Sequence, residues 1–144
     1  MKHVLCAFLL FALPALAAIS QRQSPVSQWN GGSSTTCYAN LLGSGYHSGD
    51  LIVVWTYWTT SGTNNLTASV ADSYGNGVGS VNPAYPSAVG PTLQPAASSP
   101  AAAQIFYASN TKSGSGNDTV TVTYSGTAST SGCVFVEYQG ADTS

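Results

Sequence analysis

Residues 118–126 read DTVTVTYSG, and Val120, Val122 and Tyr124 alternate there with Thr119, Thr121 and Thr123. A period of two puts one set on each face of an extended chain, so this stretch is written for a half-buried β-strand. The same period recurs along the chain. Thr35, Cys37, Ala39 and Leu41 share a face in SSTTCYANLLG (33–43), and Leu66, Ala68, Val70 and Asp72 share one in LTASVADS (66–73). In GCVFVEYQG (132–140), Cys133, Phe135 and Glu137 alternate with Val134, Val136 and Tyr138. AQIFYASN (103–110) and GDLIVVWTYWTTSG (49–62) are apolar runs of strand length. No segment holds a helical period for three turns. SYGNG (73–77) and SGSGN (113–117) supply the Gly and Asn that tight hairpins need. Six strand segments with short turns and no helices predict an all-β chain, an antiparallel β-sandwich of Ig-like or jelly-roll-like kind. The stretch 81–103 carries five of the seven prolines and reads as one long connection.

Composition narrows the function. Charged residues are only 6% of the 144, against 43% hydrophobic, so the polar surface has to come from Ser, Thr, Asn, Gln and Gly. Beyond residue 20 the only Lys or Arg are Arg22 and Lys112, too few to neutralise a phosphate backbone, which excludes nucleic acid as a partner.

The N-terminus reads as a targeting segment. Lys2 and His3 precede the apolar run VLCAFLLFALPALA (4–17), and Ala15-Leu16-Ala17 fits the small-x-small cleavage rule, with the cut after Ala17 or Ala18. The run is shorter than a membrane span and Pro14 interrupts it, so no membrane insertion is expected after cleavage. The expected organisation is a signal peptide at 1–18, a linker at 19–32 and a β-sandwich domain at 33–144, secreted or displayed at the cell surface. Cleavage removes Cys6 and leaves Cys37 and Cys133, an even pair in an oxidising compartment and therefore an expected disulfide.

Candidate chemistry is sparse. No G-x-S-x-G elbow or zinc-ligand spacing occurs, so no catalytic residue, metal set or cofactor is assigned. His47 lies in the turn-rich GSGYHSGD and reads as an exposed loop residue. Asp72 and Glu137 are a conceivable carboxylate pair, but a turn cap and a satisfied strand residue are the simpler readings. In DSYGN, Asp72 and Asn76 offer oxygens of the calcium-binding type, without the D-x-D-x-D spacing of a loop site. The most concrete ligand is a polysaccharide, because aromatic rings stack on the apolar faces of sugars. In GDLIVVWTYWTTSG one face carries Leu51, Val53, Trp55 and Tyr57, and the other Ile52, Val54, Thr56 and Trp58. Both faces start apolar, the pattern of a central strand covered on both sides. That reading places Trp55 in the core and leaves Trp58, beside the TTSG turn, as the binding candidate, with Tyr46, Tyr74 and Tyr85 on loops.

GDLIVVWTYW, VADSYGN, IFYASNTKSGSGNDTVTVTYSG and VFVEYQGAD occur in an order that resembles a class of uncharacterised secreted bacterial β-sandwich domains. Their pattern has a GN-L-hydrophobic strand, a D-S-x-GN turn, a Y-A-x-N strand, a T-V-T-V strand and an E-Y-x-G strand. The likeness covers about residues 33–142. Asp50 stands where the pattern usually has Asn, and VGSV follows SYGNG in place of an aromatic. Further strands normally follow E-Y-x-G in that class, so the resemblance implies a domain cut short at its C-terminus. It implies a non-catalytic module with an adhesion or structural role. The alternatives are a carbohydrate-binding module, with polysaccharide or cell-surface components as partners, and a fragment of a secreted hydrolase.

Overall fold

The structure is a computed structural model that describes residues 18–41, 47–62, 65–73, 85, 87–94, 99–109, 111–112 and 118–141. The targeting segment at 1–17 and the loop residues Tyr46, Tyr74 and Asn76 lie outside the described residues. Among the described residues no helix is long and apolar enough to cross a membrane.

The described residues form nine strands: β1 (Ser20–Gln21), β2 (Val26–Asn30), β3 (Ser34–Leu41), β4 (Leu51–Thr59), β5 (Ala68–Asp72), β6 (Ser87–Gln94), β7 (Ala101–Ala108), β8 (Asp118–Ala128) and β9 (Thr130–Gln139). They form two antiparallel sheets packed face to face as a β-sandwich. The larger runs β1-β9-β4-β7-β6, with β2 also paired to β9, and the smaller runs β3-β8-β5.

The sequence period survives in the burial. Along β8 the side chains of Val120, Val122 and Tyr124 are buried while those between them reach the surface. β7 and β4 bury every second residue in the same way. The core lies between the sheets and is built from Ile52, Val54, Trp58, Phe106 and Phe135 of the larger sheet with Cys37, Val70, Val120, Val122 and Tyr124 of the smaller. Trp58 and Tyr124 meet with ring centroids 5.5 Å apart. The Thr56 hydroxyl sits 2.8 Å from the Tyr124 hydroxyl and donates to the carbonyl of Gly132 at 3.0 Å, which satisfies a buried polar group inside the apolar layer. A disulfide joins Cys37 of β3 to Cys133 of β9, so the covalent bond runs from sheet to sheet.

Two segments differ from the sequence expectation. The stretch 19–32, expected as a linker, supplies β1 and β2, which pair with successive parts of the free edge of β9. Within 81–103, expected as a loop, β6 pairs with β7 through two irregularities. Pro91 is accommodated because β6 is an edge strand, where a missing N–H and a broken ladder are tolerated.

Ser129, between β8 and β9, donates its backbone N–H to the carbonyl of Thr59 at the end of β4. β4 and β8 therefore finish at one pole of the sandwich, and their first residues lie at the other. That second pole gathers Asp50 before β4, Glu137 late in β9, Asp118 at the start of β8 and Asp72 at the end of β5.

Candidate functional site: an aromatic strip on the outer sheet face

The smaller sheet covers one face of β4 only. Ile52, Val54, Thr56 and Trp58 are fully buried beneath it. The opposite face of β4 has no covering layer among the described residues, and Trp55 there is 40% exposed. This corrects the expectation for both tryptophans: Trp58 is 0% exposed and offers nothing to a ligand, and Trp55 is on the surface. Tyr85 is also corrected. It is buried, and its hydroxyl donates to Asp72 Oδ2 at 2.6 Å.

A strip of three rings crosses the outer face. Trp29 on β2 is opposite Gly132 on β9, and Gly132 is opposite Tyr57 on β4. A Cβ at Gly132 would overlap a ring carbon of Tyr57. The missing side chain lets the Tyr57 ring lie across β9 toward Trp29, and the two centroids are 5.5 Å apart. Trp55, two residues from Tyr57 along the same strand face, is 5.3 Å from it. Trp29 is 66% exposed, the highest value among the described large aromatics. The Tyr57 hydroxyl is screened from solvent and has no hydrogen-bond partner among the described residues, and burial raises its pKa. The outward positions of β4, β7 and β9 carry no charged residue, so the strip sits in an uncharged field that includes Leu51, Val53, Val134 and Ile105.

Replacement of Gly132 by alanine is expected to force the Tyr57 ring off β9 and break the Trp29–Tyr57 contact. Overpacking of this kind costs about 1–3 kcal/mol, readable in a urea midpoint, and the near-ultraviolet dichroism of the coupled rings should change with it.

The carboxylates at the second pole fall into two groups. Asp50 and Glu137 are buried together, and with His47 they place one potential ligand atom each within 4.8 Å. Their oxygens are engaged. Arg22 donates from Nε and Nη2 to the two Asp50 oxygens at 2.6 and 3.0 Å. Gln23 Nε2 donates to Glu137 Oε2 at 2.6 Å, and the His47 backbone N–H donates to Glu137 Oε1 at 2.8 Å. The His47 ring Nδ1 lies 3.3 Å from the same oxygen, so His47 is a partner of Glu137 and not a free loop residue. A metal here would have to displace the Arg22 fork. The arrangement instead clasps the N-terminal segment, whose Arg22 N–H also donates to the Glu137 carbonyl at 2.9 Å. Glu137 is thus gathered with Asp50 and His47, not with Asp72.

Asp118 and Asp72 form the second group. Asp118 is fully buried; its Oδ1 accepts from the Ser73 hydroxyl, and its Oδ2 has no hydrogen-bond partner among the described residues. Burial, and to a smaller degree the charge of Asp72, raises its pKa above 3.8, although the Ser73 and Thr119 hydrogen bonds pull the other way. The folded state then holds this proton longer than the unfolded state does. The resulting stabilisation is complete below the unfolded value and is lost as pH rises through the folded one. In buffer free of divalent cations, the stability of the native protein relative to Asp118→Asn is expected to fall as pH rises from 4, as measured by urea denaturation across that range.

Compared with protein families, curated proteins and solved structures, this chain finds no match. The reading of the site therefore rests on its own geometry.

Trp29 is inconspicuous in the sequence because it is one aromatic in the polar stretch SPVSQWN, although Val26, Gln28 and Asn30 do alternate with Ser27 and Trp29. Gly132 was the other available signal, since a glycine inside a strand pattern often marks close approach by another group.

Proposed function

We propose that this protein is an exported, non-catalytic β-sandwich module that adheres to uncharged polysaccharide through the outer face of its six-stranded sheet. The observation that carries the reading is the continuous Trp29–Tyr57–Trp55 strip, with both indoles open to solvent among outward strand positions of β4, β7 and β9 that carry no charge. Large exposed apolar patches mark interaction surfaces, and rings offer a sugar its preferred stacking partner at low conformational cost. The centroid steps of 5.3 and 5.5 Å resemble the advance per residue of an extended β-1,4-linked chain. One sugar per ring is the expected register, with the chain running across β9 from β4 to β2. The ring planes tilt by 32° and 37°, which suits a chain that twists along its length.

Export is supported by the apolar N-terminal run and by the inter-sheet disulfide, which persists in oxidising compartments. The clasp of Arg22 and Gln23 on Asp50 and Glu137 secures the chain close behind the expected cleavage point.

The test is depletion from solution by insoluble cellulose and chitin, with affinity electrophoresis on soluble xylan and glucomannan. Trp29→Ala and Trp55→Ala are each expected to weaken binding about tenfold, equivalent to about 1.4 kcal/mol, and the double variant to lose it. If none of these glycans binds, or if the double variant binds as well as the native protein, the reading fails.

A further inference from the structure

The second pole of the sandwich holds a carboxylate that the aromatic strip and the N-terminal clasp leave unexplained. Asp118 points inward from β8 on the same face as Val120 and Val122, with 0% exposure. A buried carboxylate oxygen without a donor carries the full cost of its lost hydration, and among the described residues Asp118 Oδ2 is such an oxygen. Asp72 pairs with Val120 across β5 and β8, which makes Asp72 and Asp118 diagonal neighbours on one sheet face. Diagonal neighbours lie about 7–8 Å apart at the backbone, within reach of side chains that converge on a shared ion. Two hydroxyls hold the pair in place: Ser73 donates to Asp118 Oδ1, and Tyr85 donates to Asp72 Oδ2. Ser73 Oγ in turn accepts the Thr119 N–H at 3.1 Å, which ties it to the start of β8.

The geometry points to a divalent-cation site at this end of the smaller sheet, with Asp118 Oδ2 and the Asp72 carboxylate as its anchoring ligands. The donors are all oxygen, which selects a hard cation over zinc or copper. Calcium fits better than magnesium, because two carboxylates on neighbouring strands impose irregular angles that calcium tolerates and an octahedral ion does not. The ion would compensate the stranded oxygen and relieve the repulsion between the carboxylates, locking the end of β5 to the start of β8. The Asp50–Glu137 group does not compete for this role, since Arg22, Gln23 and His47 already occupy its oxygens. The site is independent of the polysaccharide reading and stands or falls separately.

Titration with TbCl₃, excited through tyrosine, tests it on the mature chain. Tyr85 touches Asp72 and is placed to sensitise a bound lanthanide. The expected result is sensitised emission displaced by CaCl₂, with a calcium affinity of about 10⁻⁴–10⁻³ M, the range of extracellular modules, and a thermal midpoint that rises on adding CaCl₂. Asp118→Asn should weaken the calcium response by at least about tenfold while leaving the fold intact in EDTA. Asp72→Asn, at the less buried position, should weaken it as well, and it decides the matter if Asp118→Asn fails to fold. Trp55→Ala should leave it unchanged. Absence of calcium-displaceable emission overturns the proposal. So does a native-like response in the aspartate variants, which would place any bound ion elsewhere.

Discussion

Trp58→Ala is expected to destabilise the protein by about 3–5 kcal/mol, the usual cost of emptying a buried aromatic site. The side chain has no exposed surface, and its ring packs on Tyr124 from the facing sheet. Truncation would open a cavity between the sheets beside the Thr56–Tyr124 hydrogen bond, and both strands are held by pairing on either side, which limits collapse. Trp55→Ala should behave differently. Its indole is 40% exposed on the outer face, so its loss should cost much less stability while it removes a ring of the proposed binding strip. Urea denaturation of the two variants side by side separates the assignments. Equal losses would mean that a layer covers both faces of β4.

Removal of the Cys37–Cys133 bridge by paired serine substitution is the second large effect. The bridged residues are 96 apart in sequence, and closing a loop of that size in the unfolded chain is worth about 4–5 kcal/mol in the chain-entropy model. The bond also ties β3 of one sheet to β9 of the other, at a point where both cysteines are buried. The doubly substituted chain should unfold at a markedly lower urea midpoint, and serine hydroxyls in the core add to the loss. A midpoint within error of the native value would contradict this role for the bridge.

Much of this architecture was legible from alternation. The face of β8 that carries Val120, Val122 and Tyr124, and the face of β9 that carries Cys133, Phe135 and Glu137, are the faces buried in the structure. The disulfide was legible from the even cysteine count that remains once the apolar N-terminal run is read as a cleaved signal. Period two says which residues share a face, however, and not which face a second sheet will cover. β4 is apolar on both faces, so its sequence leaves Trp55 and Trp58 equivalent until the smaller sheet is seen to lie on the Trp58 side. β2 and β6 were obscured for local reasons. One is a polar pentapeptide with a single aromatic, and the other contains Gly90 and Pro91 and tolerates them as an edge. The partners of the buried acids come from segments far apart in sequence, such as Gln23 with Glu137 and Ser73 with Asp118. No local pattern announces such contacts.

The three indole N–H resonances of the chain give the most direct test of the central claim, that the uncovered aromatic face is where a glycan binds. Titration with a soluble β-1,4-linked oligosaccharide, followed by proton–nitrogen correlation spectra, is predicted to move the Trp29 and Trp55 signals and leave Trp58 in place. Movement of Trp58 alone, or of none of the three at saturating oligosaccharide, would contradict the account.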